Sequence, residues 1–209
     1  PVYFPDSVPP VVNVGPGSPT GVCFGYGARF PAKYQEALFI CDWSYGKIYA
    51  VHMNPNGSTY RGELEEFVAG TPLPVTDVVV GAKDGALYFT IGGRRTKSGL
   101  YRVTYVGNES TERAVPDKTE IAARQKRRAL ETLHMPVGVD AVHQAVPELA
   151  NDDRFIRYAA RIALEHQQVG QWQDSVLNTT NPEIGLNGML GLTRVGSPDL
   201  RDRLLERLY

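Results

Sequence analysis

The stretch Gly92–Lys97 (GGRRTK) sets two guanidiniums and an ammonium beside a pair of glycines. Arg94, Arg95 and Lys97 are therefore candidates to hold an anionic ligand, because a guanidinium fork grips carboxylates in bidentate fashion. The competing reading is a solvated turn whose arginines pair with a nearby carboxylate such as Asp42. The glycine pair is not a phosphate loop, since no helical pattern follows it. Asp42–Trp43 offers a second chemistry, an indole face that can stack on a sugar beside a carboxylate acceptor. The plainer alternative is a ring packed under a loop while Asp42 satisfies backbone amides. Asp77 and Asp84 can contribute to a calcium site, although Asp84–Gly85 is already accounted for as a turn.

The remaining reactive side chains form no constellation in the sequence. Cys23 and Cys41 are the only cysteines, and the four histidines (His52, His134, His143, His166) have no ligand-like spacing to them, so no metal site is expected. The two cysteines fall on adjacent predicted strands, where either a disulfide or two buried free thiols fits, the thiols being the favoured reading. No histidine has a visible acid or nucleophile partner, so each is read as structural or exposed. Lys126–Arg128 is read as a solvated helix face. Asn56, Asn108 and Asn178 open matches to the glycosylation pattern, which matters only in a secretory setting.

Two kinds of element must position these groups. Residues 1–115 hold 15 of the 21 glycines and 16 of the 20 aromatic residues, and this change of texture marks a domain boundary. In the front part, short β-rich runs alternate with turn chemistry. They are 11–14, 22–25, 37–43, 47–53, 61–68, 76–80, 86–91 and 100–106. Asn56–Gly57 and Asp84–Gly85 supply residues that tolerate positive φ at tight hairpins. No helical period separates the runs, so antiparallel meanders are predicted rather than βαβ units.

The runs also repeat. Ala37–Val51 (ALFICDWSYGKIYAV) parallels Ala86–Gly93 (ALYFTIGG) followed by Gly99–Val103 (GLYRV), at an offset of roughly 50 residues. That is the scale of one four-stranded propeller blade. The expected domains are a partial β-propeller over 1–107, a linker over 108–117 and helical repeats over 118–209. The propeller part divides into a blade at about 18–70 and a partial one at about 74–107, with 1–14 as the outer strand of a preceding blade. In that geometry the connections 14–21, 42–47, 70–77 and 90–99 open onto one face. They gather Asp42, Trp43, Tyr45, Thr76, Asp77, Arg94, Arg95 and Lys97 on a single rim. Two blades cannot close a ring, so missing blades or a partner chain are expected to complete it.

The back part reads as six helices: 120–134, 139–149, 154–166, 171–178, 183–194 and 200–208. Asp152 or Asp153 is the expected cap of the third, and Ser197–Pro198 the start of the sixth. Short connections make about three antiparallel hairpins, which bury their apolar stripes only when stacked.

With these residues assembled, a resemblance emerges. Ser18–Gly21, Leu38–Ser44, Thr76–Val80, Asp84–Tyr88 and Ser98–Val103 resemble the closing blades of soluble glucose and sorbosone dehydrogenases that use pyrroloquinoline quinone (PQQ). Asp153–Glu165 is similar to a HEAT repeat. Propeller followed by such repeats resembles large exported bacterial proteins described as membrane-bound dehydrogenases. The resemblance implies a parent that oxidises a sugar or related alcohol, with PQQ and calcium as cofactors and electrons passed to a c-type haem. Arg94, Arg95 and Lys97 would then orient the quinone's carboxylates, and Trp43 would line the substrate pocket. No histidine here matches the family's general base and no CxxCH haem motif is present, so this segment alone is expected to be inactive. The alternative class is a non-catalytic propeller and HEAT scaffold that binds protein or glycan.

Charge and hydropathy narrow the partners. A net charge of −1 gives no basic excess for nucleic acid, and no window approaches the ~18 apolar residues of a membrane span. The helical repeats are an expected protein-binding surface. The chain opens on Pro1 without a leader, and the expectation is a piece of something longer; a periplasmic or exported location is implied by the resemblance.

Overall fold

Alternation of apolar and polar side chains between glycine turns folds the front half into two antiparallel sheets. The computed structural model describes residues 4, 7–93 and 95–208, which form two compact units. The sheet unit comprises residues 11–55 and 60–118; the other joins 119–209 to the segment before Val11 and to the hairpin tip Asn56–Thr59.

The first sheet is a sequential meander of β1 (Pro19–Phe24), β2 (Leu38–Asp42), β3 (Lys47–Asn56) and β4 (Thr59–Ala69). The second is β5 (Val75–Val80), β6 (Leu87–Gly93) and β7 (Thr96–Val103). Among the described residues no helix interrupts the stretch from Ala37 to Val106. Gly57 (φ 60°) and Gly85 (φ 65°) take up the left-handed backbone expected of them at their turns.

Pairing sets which side chains meet. Phe39 lies opposite Ala50 and Cys41 opposite Ile48, so these four share one face of the first sheet. They enter a single core with Val75, Val78, Leu87 and Phe89 of the second sheet. Phe39 is fully buried, and hiding such a ring from water is worth about 1.5–3 kcal/mol. The first strands of the two sheets, β1 and β5, pack against each other, and the Thr20 hydroxyl donates to the Val75 carbonyl at 2.9 Å.

Three expectations for this unit are corrected. Val11–Val14 is not a strand; a bond from Gly62 N–H to the Val11 carbonyl at 3.0 Å ties it to the sheet edge. Pro9, Pro10 and Pro16 flank the run without an N–H to extend a ladder. β7 starts at Thr96 rather than Leu100, because β6 and β7 stay paired as far as Gly93 opposite Thr96. A short helix, α1 (Ala32–Gln35), follows Pro31 where no element was expected. Its Gln35 side chain donates to the carbonyls of Phe30 (2.8 Å) and Glu112 (2.7 Å) and accepts from Ala114 N–H (3.0 Å). The 108–117 segment is thereby fastened to the sheet unit.

The second unit holds α2 (Ile121–Glu131), α3 (Val139–Glu148), α4 (Arg154–Glu165), α5 (Gln173–Leu177), α6 (Pro182–Val195) and α7 (Arg201–Leu208). Asp153 caps α4 through Phe155 N–H at 2.8 Å, and its other oxygen accepts Ser58 N–H at 2.6 Å. Asn181 caps α6 ahead of Pro182. Ser197 makes no side-chain cap; Pro198–Leu200 form a 3₁₀ turn leading into α7. Helices α2, α4 and α6 pack in succession, with Ala159, Ala160 and Ala163 buried along α4. Buried Arg161 pairs with Glu165, which also takes Arg194 at 3.1 Å. The buried Gln167 amide bonds five backbone groups, those of Leu133, Met135, Val137, Gly138 and Ala163.

Candidate functional site

The turn after β2 and the turn after β6 meet at one end of the sheet unit. Trp43 Nε1–H donates to the Gly92 carbonyl at 2.8 Å, and Gly93 packs so closely that an added Cβ would stand 2.9 Å from Trp43 Cζ2. The indole, 40% exposed, is thus anchored at its Nε1–H. Beside it opens a groove of about 920 Å³. Its walls are Trp43, Gly92–Gly93, Leu100 and the hydroxyls of Ser18, Thr20, Thr76, Thr90 and Ser98. Thr76 Oγ1 bonds Thr90 Oγ1 at 2.8 Å and Ser44 Oγ donates to Ser18 Oγ at 2.8 Å. Hydroxyls used this way keep lone pairs for a ligand.

Asp42 lies under this mouth, not in it. It is 3% exposed, and its Oδ1 accepts N–H groups of Ser18 (3.1 Å), Ser44 (3.0 Å) and Tyr45 (3.3 Å). The carboxylate therefore holds two rim loops together, the plainer of its two sequence readings. Asp77 is also displaced from the expected rim: it sits within β5 against Gly21 of β1, with its Oδ1 on Val78 N–H at 2.8 Å. Its charge reaches the two cysteines instead. Cys23 and Cys41 are free thiols, and burial, reinforced by Asp77, pushes them up to about 11 and about 12. Such thiols are protonated and poor nucleophiles at neutral pH.

Of the three cations, Arg94 lies outside the described residues. Arg95 is exposed in the left-handed region (φ 62°), uncommon for a non-glycine residue. Lys97 is exposed at the start of β7, next to the groove residue Ser98. Neither has an ion pair with Asp42 or another carboxylate among the described residues. Asp84 serves its turn through Ala86 N–H, and also takes Tyr88 OH and Arg102. Together these donors hold its carboxyl down at about 2.

His52 has no acid partner near it along the chain; the fold supplies one. His52 Nε2 lies 2.6 Å from Glu65 Oε2 on β4, and Nδ1 lies 3.1 Å from the Lys33 carbonyl of α1. Tyr34 OH donates to Glu65 at 2.7 Å and Lys33 Nζ at 3.1 Å. Partial burial raises the Glu65 carboxyl, but the donors His52, Tyr34 and Lys33 outweigh it and hold it at about 2. The cluster fastens α1 to β3 and β4. His134 and His166 stack at 6.0 Å in the helical unit, and His143 is exposed. Of the hydroxyl residues the sequence pointed to Thr76; Ser18, Thr20, Thr90, Ser98 and the Glu65 cluster were not legible, because their members are distant in the chain.

Compared with family models, curated proteins and solved structures, the chain matches none. No helix among the described residues is long and apolar enough to cross a membrane.

Proposed function

We propose that the sheet unit is a two-blade portion of a β-propeller whose mouth binds a neutral polyol or glycan, and that the helices form a HEAT-like scaffold beside it in sequence. The observation that carries the binding reading is the Trp43 indole, fixed at its Nε1–H and exposed in a largely apolar groove that also carries Ser18, Thr20, Thr76, Thr90 and Ser98. Stacking on an aromatic ring plus hydroxyl exchange is how uncharged sugars are held where no carboxylate is free to bind them. The propeller reading is supported by sequential meander order, adjacent first strands and turns that share a mouth. The repeat reading is supported by the succession α2, α4, α6.

A panel of mono- and oligosaccharides titrated against Trp43 fluorescence tests the glycan reading. Saturable quenching with one sugar class is expected in the native chain, and titration calorimetry, which needs no indole, should show the affinity weakened at least tenfold in Trp43→Ala and partly kept in Trp43→Phe. No response from any sugar up to about 10 mM Kd, the weak end of useful binding, would overturn it.

The sugar-dehydrogenase reading is favoured by one observation, the exposed cations Arg95 and Lys97, which make no ion pair among the described residues, Lys97 being next to the groove residue Ser98. They fit the carboxylates of a quinone cofactor, which would supply the hydride chemistry when bound. Asp42 and Asp77 are engaged elsewhere, so the residues fit an anion rather than the calcium that accompanies it. Titrating PQQ, with sugar-dependent dye reduction as the readout, tests this; neither binding nor reduction would end it.

A further inference from the structure

The internal repeat equates Phe39 with Tyr88, Cys41 with Thr90, Ile48 with Leu100 and Ala50 with Arg102. In the first sheet Phe39, Cys41, Ile48 and Ala50 are at most 1% exposed, because the second sheet packs on that face. In the second sheet the equivalent face is more open, with Thr90 and Leu100 lining the groove that Ser18, Thr20 and Trp43 also line. Pairing sets Val79 beside Tyr88 and Arg102, and Thr90 beside Leu100 and the exposed Asp77, so these six share it. Leu100 is 70% and Val79 52% exposed there. Arg102, the one cation on the face, is already neutralised by Asp84 at 2.8 Å. Apolar side chains this exposed on an otherwise repeated packing face mark an interaction surface.

The repeat also identifies what fits it. The second sheet meets the first through Leu87 and Phe89, whose equivalents are Leu38 and Ile40. These lie on the opposite face of the first sheet, in register with Phe24 and Val22, which are 40% and 59% exposed. One molecule thus carries both halves of the sheet-to-sheet contact already formed inside it; on the first sheet Val51, opposite Leu38, is buried where Val11 and Val12 approach, and Val22 and Phe24 remain exposed.

We infer that the chain self-associates head to tail, the Val79–Leu100 face of one copy docking on the Val22–Phe24 face of the next. The contact is heterologous, so it propagates by the rotation that relates the two sheets. The inference rests on the repeat and not on sugar binding; since Thr90 and Leu100 also line the groove, a docked copy becomes its facing wall.

Sedimentation velocity without sugar, from about 5 to 500 µM, spanning the range of weak to moderate Kd values, tests it. The expected result is mass that rises with concentration for the native chain, and monomers for Leu100→Asp and for Val22→Asp. Mixing the two variants restores a dimer, because each keeps the face the other has lost. Circular dichroism establishes that both variants are folded, and Val79→Ser replaces Leu100→Asp should the latter unfold. A native chain that stays monomeric throughout overturns the inference. So does assembly that survives either variant, or a mixture that remains monomeric.

Discussion

Glu65→Gln tests the most densely bonded charge in the sheet unit. In the native chain this carboxylate accepts from His52, Tyr34 and Lys33, and its proton affinity falls from the ordinary 4.5 to about 2. At ~1.4 kcal/mol per pH unit the ionised form gains at most about 3 kcal/mol on folding. The side chain is 35% exposed, so water screens the cluster and about 1–2 kcal/mol is expected to remain. The sign follows from linkage. A depressed carboxyl contributes fully above its unfolded value near 4.5, and the contribution fades as pH falls from there towards 2. Urea unfolding of both proteins, read by Trp43 emission in a Trp172→Phe background, isolates the sheet unit. Glu65→Gln should lose about 1–2 kcal/mol at pH 7, and the gap to the native chain should close between pH 4.5 and 2. A gap that is absent at pH 7, or the same at every pH, would refute the reasoning.

Further expectations concern both units. Glu165→Gln leaves the buried Arg161 guanidinium without its charge partner, which should cost about 3–5 kcal/mol in denaturation followed by Trp172. Gln167→Ala removes the five bonds around the loop before α3. It should cost about 1–3 kcal/mol, with faster hydrogen exchange at the Val137 and Gly138 amides. Gly93→Ala drives a methyl to 2.9 Å from Trp43, so it should shift Trp43 emission and weaken sugar binding together. Unchanged emission would mean the indole is not held as described.

Much of this architecture is legible in the chain because its causes are local. Glycine at 57 and 85 and Asp153 before an alanine-rich stripe each act within a few residues of themselves, and strand or helix follows. The repeat in sequence likewise foretold which turns share a mouth, since Trp43 meets Gly92. What the residues at that mouth do was open until the chain folded. Asp42 carried two readings, and only the close approach of Ser18 from 24 residues away drew its carboxylate under the loops. His52 carried no acid partner until β4 brought Glu65 beside it. A side chain's local preference is written in its neighbours along the chain. Its charge partner and its exposure depend on groups that only the packing of sheets and helices delivers, and those decide whether a carboxylate, a histidine or an indole is structural or free to bind.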